Sequence, residues 1–327
     1  MASPIFIIQS IVGIVGILGN SLVCFVIWRT PAMHTLTNAF IFNQATVDIL
    51  GSIFMFLISV VPVPKILPPG TAGVLLCRIW VSNYPLWACY ITSSINLVAL
   101  TFERYLAIVY PFKFQKVCHR LGATIVIVFV WVVGFSIALY AAEIFRYREG
   151  HCVQFFDPKL RVVGIMIPGF QYFFPVVSML VAYIHITVEL KRSAQRLARI
   201  MGPNVAGAGR PGQAPESADE SLLRARRNTF KTLLIVFIAY VACWTLNSSL
   251  LLAATLGLPS APDSPLLIIS VALVATNSAI NPIIYALKYK QFQKGLRMLF
   301  PCRGIEGTNS VRPSTIATGL SVGNPGV

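Results

Sequence analysis

The stretch Ser93-Ser94-Ile95-Asn96-Leu97-Val98-Ala99-Leu100-Thr101-Phe102-Glu103-Arg104-Tyr105-Leu106-Ala107-Ile108-Val109-Tyr110-Pro111 decides how this chain is read. It is an apolar helix that ends in an acid and an arginine side by side, and no charged residue lies between Arg78 and Glu103. A charge pair at the edge of such a run is costly unless something uses it. Working backward, Cys77 stands 27 residues before Arg104. At 1.5 Å per residue that is about 40 Å of helix, the thickness of a bilayer with its headgroups. Cys77 therefore belongs at the outer rim and Arg104 at the inner one.

The same kind of run recurs along the chain. Residues are 56% hydrophobic and 11% charged, where soluble domains carry roughly 25% charge. Charge-free runs long enough to span a bilayer occupy 1–28, 79–102, 121–142, 162–188, 232–262 and 264–287. An additional run, 30–64, is broken only by His34 and Asp48. The expectation is an all-α membrane protein, a bundle of seven transmembrane helices over residues 1–300. Alternating basic and apolar residues predict a short amphipathic interfacial helix over 288–300, and 301–327 reads as a disordered tail. No cleavable-signal pattern precedes the first span, so that helix is expected to serve as its own anchor.

A net charge of +15 would suggest nucleic acid in a soluble protein, but its distribution points elsewhere. Twenty of the 26 Lys and Arg fall on one side: Arg29, Arg104, Lys113, Lys116, Arg120, nine between Lys191 and Lys231, and six from Lys288 onward. The positive-inside rule then puts the N-terminus outside and the C-terminus in the cytoplasm. The basic loops meet the anionic leaflet, so membrane lipids rather than nucleic acid are their expected partners. The loop 191–227 reads as a Gly/Pro/Ala-rich centre with helical shoulders.

Only Cys77 and Cys152 lie on the outer side, where an oxidising exterior permits a disulfide. Cys302, just past the interfacial helix, is a candidate lipidation site. Asp48 sits near mid-membrane, with Asn20, Ser93, Asn277, Ser278 and Asn281 as available polar partners on other spans. Asn277, Asn281 and Tyr285 share one helical face at a spacing of four. A carboxylate among such oxygens can hold a small hard cation such as sodium, or it can be a hydrogen-bonded acid that joins helices; the residues leave both open. Tyr183 and Tyr285 lie near inner ends of spans, where they could rearrange around Arg104.

Taken together these residues resemble the rhodopsin-like (class A) G-protein-coupled receptors, and the similarity runs along the whole chain. It is carried by Gly19-Asn20, Asp48, Cys77 with Trp80, Glu103-Arg104-Tyr105, Trp131, Cys152, Pro175, Tyr183, Cys243-Trp244 and Asn281-Pro282-Ile283-Ile284-Tyr285. The stretch Trp80-Val81-Ser82-Asn83-Tyr84-Pro85-Leu86-Trp87 and the Ala286-Leu287-Lys288-Tyr289 tail look most like invertebrate neuropeptide receptors. The resemblance implies a multi-pass plasma-membrane receptor, not an enzyme. It would bind an extracellular ligand and activate a heterotrimeric G protein through Glu103, Arg104, Tyr105, Tyr183, Asn281, Pro282 and Tyr285. Asp48, Ser93, Asn277 and Asn281 would form an allosteric sodium site. Ser310, Ser314, Thr315, Thr318 and Ser321 would be phosphorylated to recruit arrestin.

The chain departs from the family pattern at Leu246, where a proline usually kinks span six, and at Tyr240, where phenylalanine is usual. Arg226 stands where some members carry an acid that holds Arg104 at rest. Cys77 is two residues farther from Arg104 than in most relatives, which implies an extra turn atop span three. Leu86 replaces the aspartate of amine receptors, and span seven has no lysine for a retinal Schiff base. By position the pocket is expected from Leu86, Tyr90, Phe155, Gln171, Trp244, Asn247, Leu251 and Val271, with a peptide ligand leading a lipid or other small non-amine one. Glu143, Glu149 and Asp157 could attract a basic peptide. A transporter or channel is the rival class, but it would need ionisable residues through several spans, and Asp48 is nearly alone.

Overall fold

The computed structural model describes residues 4–155, 161–201, 218–258 and 264–300. Seven helices in these segments are long and apolar enough to cross a bilayer. The first two spans are α1 (Pro4–Arg29) and α2 (Leu36–Val60), joined by a 3-10 turn that Pro31 opens. Thr35 caps α2 by accepting from the Asn38 amide at 3.3 Å, one of the donors a helix start leaves unpaired. The prolines and Gly70 after α2 carry no helix.

Span three is built in pieces: α3 (Thr71–Leu75), a π-helical turn over Leu76–Val81, and α4 (Tyr84–Val109). Asn83, at φ 57° in the left-handed region, separates the last two. This is the extra segment that the spacing of Cys77 implied. A short helix α5 (Pro111–Val117) leads into span four, α6 (Arg120–Glu143). Span five is α7 (Arg161–Pro168), a π-helical turn Gly169–Phe173 and α8 (Phe174–Met201). Spans six and seven are α9 (Ala218–Thr255) and α10 (Pro265–Lys288). α9 is helical without interruption past Leu246, and both flanks of the inner loop are helical as expected. The centre of that loop lies outside the described residues.

Close helix approach depends on small residues and buried amides. A Cβ on Gly134 of α6 would lie 2.8 Å from the Thr92 Cα of α4, and one on Gly19 of α1 would lie 3.0 Å from Pro282 of α10. Between α2, α4 and α6, Asn43 Nδ2 donates to Asn96 Oδ1 at 2.9 Å and Trp131 Nε1 donates to Asn43 Oδ1 at 2.9 Å. Large apolar side chains such as Leu18, Trp28, Leu121 and Phe129 face outward, exposed to 60% or more. Such a girdle would be covered by lipid.

The outer loop after α6 forms a feature that the residues did not announce, a two-stranded antiparallel hairpin of β1 (Phe145–Arg148) and β2 (His151–Gln154). Its turn residues Glu149 and Gly150 both have positive φ, as a two-residue hairpin loop requires. Cys152 is bonded to Cys77, with their Cα atoms 5.4 Å apart. The Gly150 carbonyl accepts from the Leu67 amide at 2.7 Å, which ties the proline-rich loop to the hairpin.

At the inner end, α11 (Lys290–Leu299) is shorter than the expected 288–300, because Lys288 still belongs to α10 and Tyr289 ends that helix. Gly295 lets α11 lie against Val26 and Thr30 of the first span. The buried Tyr289 hydroxyl donates to Asn38 Oδ1 at 2.7 Å; burial pushes this phenol well above its ordinary pKa, so it stays a neutral donor. Cys302 and the tail phosphorylation candidates lie outside the described residues.

The Cys77–Cys152 link closes a sequence separation of 75, worth about 4 kcal/mol on chain-entropy grounds. Cys77→Ser and Cys152→Ser should therefore lower surface expression several-fold and equally. The double variant should be no worse than either, and additive losses in a flow-cytometry assay would show that they are not partners.

Candidate functional site: an outer cavity, a buried carboxylate and an inner switch

A cavity of about 280 Å³ lies below the hairpin. Its walls come from span three (Asn83, Trp87, Ile91), span four (Ile137, Tyr140), the hairpin (Phe145, Gln154), span five (Ile167, Gln171), span six (Asn247, Leu251) and span seven (Leu267, Val271). Of the expected pocket, Gln171, Asn247, Leu251 and Val271 line it. Leu86, Tyr90, Phe155 and Trp244 do not. Along span three the lining residues repeat at four, Asn83 at the cap of α4 and then Trp87 and Ile91 on it, so the expected Leu86 and Tyr90 are each one residue off the lining face. On a helix one residue is a rotation of about 100°. Leu86 and Tyr90, each 2% exposed, turn into the core instead, Tyr90 packing against Gly51 of α2. Trp244 is 1% exposed and buried one turn farther in, 5.8 Å from the Tyr240 ring. Phe155 leaves the hairpin toward solvent, beneath the Arg148 guanidinium. Trp87, which the expected pocket did not include, lines the cavity.

Pro175 explains how Gln171 is held. A proline has no N–H for the carbonyl four residues back, so the Gln171 carbonyl is free. It accepts from the Tyr240 hydroxyl at 2.8 Å. That bond accounts for a tyrosine where phenylalanine is usual. A second, more open cleft of about 380 Å³ faces outward between α6 and α7 and shares Ile137, Tyr140 and Ile167 with the cavity.

At mid-membrane Asp48 is 1% exposed. Its Oδ1 accepts from the hydroxyls of Ser93 at 2.9 Å and Ser278 at 3.0 Å. Its Oδ2 accepts from Asn281 Nδ2 at 2.9 Å and Gln44 Nε2 at 3.2 Å. Gln44 also donates to Ser93 and accepts from Asn96 Nδ2 at 2.8 Å. Asn277 is not among the partners of Asp48. Its neighbour Ser278 takes that place, since only one of two consecutive helical residues can face the carboxylate. Gln44 escaped notice although its spacing of four from Asp48 put it on the same face. Asn277 Oδ1 and Asn281 Oδ1 are buried without donors. Hard cations take oxygen ligands, so Asp48 with the Ser93 and Ser278 hydroxyls makes a donor set that fits sodium, and Asn281, already bonded to Asp48, adds its Oδ1. Pro282 frees the Ser278 carbonyl, and Asn20 Nδ2 on α1 donates to it at 2.9 Å.

At the inner rim Arg104 pairs with Glu103, whose Oε1 also accepts from Thr37 on α2 at 3.1 Å. The side chains are 17% and 5% exposed. Tyr183 does not touch Arg104. Its hydroxyl donates to the Leu233 carbonyl on α9 at 3.2 Å and lies 3.1 Å from Thr101 Oγ1. Thr232 Oγ1 lies 3.1 Å from both its own helix's Asn228 carbonyl and the Lys288 carbonyl of α10. Tyr285 is fully buried, its hydroxyl without a partner. Tyr105 instead packs edge-on against Tyr110 and its hydroxyl lies 3.4 Å from His185 Nδ1. On the outer side Glu143 is occupied by Arg78 at 3.5 Å, which weakens it as a lure for basic peptides; Asp157 lies outside the described residues.

Residues 19–285 match the model of the 7 transmembrane receptor (rhodopsin family). Galanin receptor type 2 of Homo sapiens is 28% identical over 93% of this chain and 74% of its own length. A QRFP-like peptide receptor of Branchiostoma floridae is 26% identical over 95% and 81%, and a RYamide receptor of Drosophila melanogaster is 26% identical over 90% and 61%. With the seven spans, the bonded outer cysteines and the inner Glu103–Arg104 pair all in one bundle, the chain belongs to the rhodopsin family of seven-transmembrane receptors.

Proposed function

We propose that this chain is a plasma-membrane receptor, N-terminus outside, that takes a peptide from the extracellular side and activates a heterotrimeric G protein on the inner side. The observation that carries this reading is a continuous packed column joining the two ends of α9. Asn247 lines the cavity; Trp244 lies below it against Tyr240. Farther in, Phe237 and Phe230 pack on Tyr183 at 5.3 and 5.7 Å. The peptide assignment is supported by relatives whose names are those of peptide receptors. The lipid-facing cleft favours a second reading, an apolar ligand that enters from the membrane. Peptides and lipids applied separately in a G-protein nucleotide-exchange assay separate the two.

In this mechanism ligand binding shifts a pre-existing equilibrium toward a state with the inner end of α9 swung outward. The movement breaks the Tyr183–Leu233 and Thr232–Lys288 bonds. These neutral ties hold α9 at the end where some family members pair an acid with Arg104 and this chain has Arg226. Arg104 then leaves Glu103 for the G protein, and Tyr183 and Tyr285, each with a buried hydroxyl, turn toward the space it vacates. Asp48, Ser93, Ser278, Asn277 and Asn281 would hold sodium, which supplies positive charge that favours the resting arrangement.

Arg104→Ala should abolish agonist-driven nucleotide exchange while agonist affinity in radioligand binding stays within about threefold; unchanged exchange removes Arg104 from the mechanism. Asp48→Asn should eliminate the sodium dependence of agonist affinity, and a persisting dependence would locate the cation elsewhere. A single neutral hydrogen bond is worth about 1 kcal/mol, so Thr232→Val should raise agonist-free exchange by about fivefold. Basal exchange equal to that of the parent chain would mean that Thr232 does not restrain α9.

A further inference from the structure

No described residue of α9 bonds to Arg104 or Glu103, and Tyr183, which holds the Leu233 carbonyl, reaches span three only at Thr101. A second route does end at the ion pair. Thr232 Oγ1 of α9 lies 3.1 Å from the Lys288 carbonyl at the end of α10. The next residue, Tyr289, donates its hydroxyl to Asn38 Oδ1 at 2.7 Å, and Gln291 Oε1 lies 2.8 Å from the same hydroxyl. Beside Asn38 in the first turn of α2, Thr37 donates to Glu103 Oε1 at 3.1 Å. Glu103 in turn holds Arg104.

This is one connection because two of its joints are covalent. Lys288 is followed by Tyr289 and Thr37 by Asn38, so a displacement of one member of each pair displaces the other. Tyr289 also caps α10, its N–H donating to the Tyr285 carbonyl at 3.0 Å, which fixes the ring against the helix end. Thr232, Tyr289, Asn38, Thr37 and Glu103 are all buried, so solvent does not readily take over a bond that opens. The charges that act on the Tyr289 phenol are those of Arg104 and Glu103. At the far end Glu103 meets Arg104 with both oxygens, and the one that faces Arg104 Nη2 also accepts from Thr37. The last torsion of a glutamate is broad. Thr37 fixes it in the orientation that a two-bond grip on a guanidinium demands.

We propose that Tyr289, with Asn38 and Thr37, is the positioning element through which the place of α9 sets the grip of Glu103 on Arg104. When α9 swings outward the Thr232 bond opens and the end of α10 is released. Tyr289 then withdraws from Asn38, and the first turn of α2 no longer presents Thr37 to Glu103. The carboxylate turns, and Arg104 keeps one bond in place of two. Arg104 is thus controlled from behind, in a chain whose span six carries Arg226 at this end. The inference rests on the reading of Arg104 as the residue that couples to the G protein.

The test uses the purified full chain, labelled with 15N-arginine, in phosphatidylcholine nanodiscs. The Nε–H resonance of Arg104 is assigned by its loss in Arg104→Lys. Thr232→Val should move this resonance, although Thr232 bonds to neither member of the pair. Tyr289→Phe keeps the ring and removes the hydroxyl; in that background Thr232→Val should cause no further movement. Thr37→Val should block the effect in the same way, which keeps the test intact if the phenylalanine variant does not fold. In nucleotide exchange Tyr289→Phe should raise the agonist-free rate about fivefold. Combined with Thr232→Val it should stay near fivefold, where independent ties would give about twenty-fivefold. A resonance that Thr232→Val leaves unmoved, one that it moves equally with and without the Tyr289 hydroxyl, or a multiplicative double variant overturns the proposal. Failure of the receptor reading looks different. If the resonance behaves as stated but neither agonist nor variant drives exchange, the connection stands and the signalling role falls. If agonist drives exchange through Arg104 while its resonance ignores Thr232, the receptor reading stands and the connection falls.

Discussion

Inside a bilayer every backbone polar group must find a partner within the protein, and Pro175 and Pro282 each deprive a carbonyl of one. Pro175 frees the Gln171 carbonyl, and the Tyr240 hydroxyl of span six takes it up. Pro282 frees the Ser278 carbonyl, and the Asn20 amide of span one takes it up. Each repair is a hydrogen bond between helices, so each local defect becomes a tertiary tie. The first positions Gln171 in the cavity wall. The second sets span seven against span one, where Gly19 leaves room for the Pro282 ring, and so presents Ser278 and Asn281 to Asp48.

The polar residues around Asp48 form one connected neighbourhood. Asp48, Gln44, Ser93, Asn96 and Asn43 are linked by hydrogen bonds across spans two, three and four, ending at Trp131. A fully partnered network of this kind specifies how the helices pack. Span seven carries three unpartnered atoms beside it, Asn277 Oδ1, Asn281 Oδ1 and the Tyr285 hydroxyl, and span one carries Asn20 Oδ1.

The two ends of the bundle hold charge differently. At the inner rim Arg104 is kept by its own neighbour and by Thr37 behind it, while the moving helix is restrained only through hydroxyls and carbonyls. Bonds of that kind are individually weak, which suits a latch that a ligand must open. At the outer end charge is confined to the rim and the hairpin, and the described cavity walls are neutral. The binding end and the coupling end therefore differ in chemistry as well as in position.

Span number, the outer cysteine pair and the Glu103–Arg104 pair were legible in the residues, because each depends on run length, position relative to the spans or sequence adjacency. Tyr240 and Leu246 could be recognised as departures, but only the Tyr240–Gln171 bond gave the first a reason. Which face of span three lines the cavity was not legible, since a shift of one residue turns a helix by about 100° and the break at Asn83 leaves no local reference for rotation. Nor was the choice of Ser278 over Asn277, or of Gln44, as partners of Asp48. Composition supplies the candidate donors, and the azimuth of each helix, set by glycine contacts and proline-freed carbonyls on other spans, decides which of them reach the carboxylate. The sequence by itself determined what crosses the membrane and where charge sits; only the packed bundle decided which groups meet, because the hydrogen bonds that join them link residues as many as 258 positions apart.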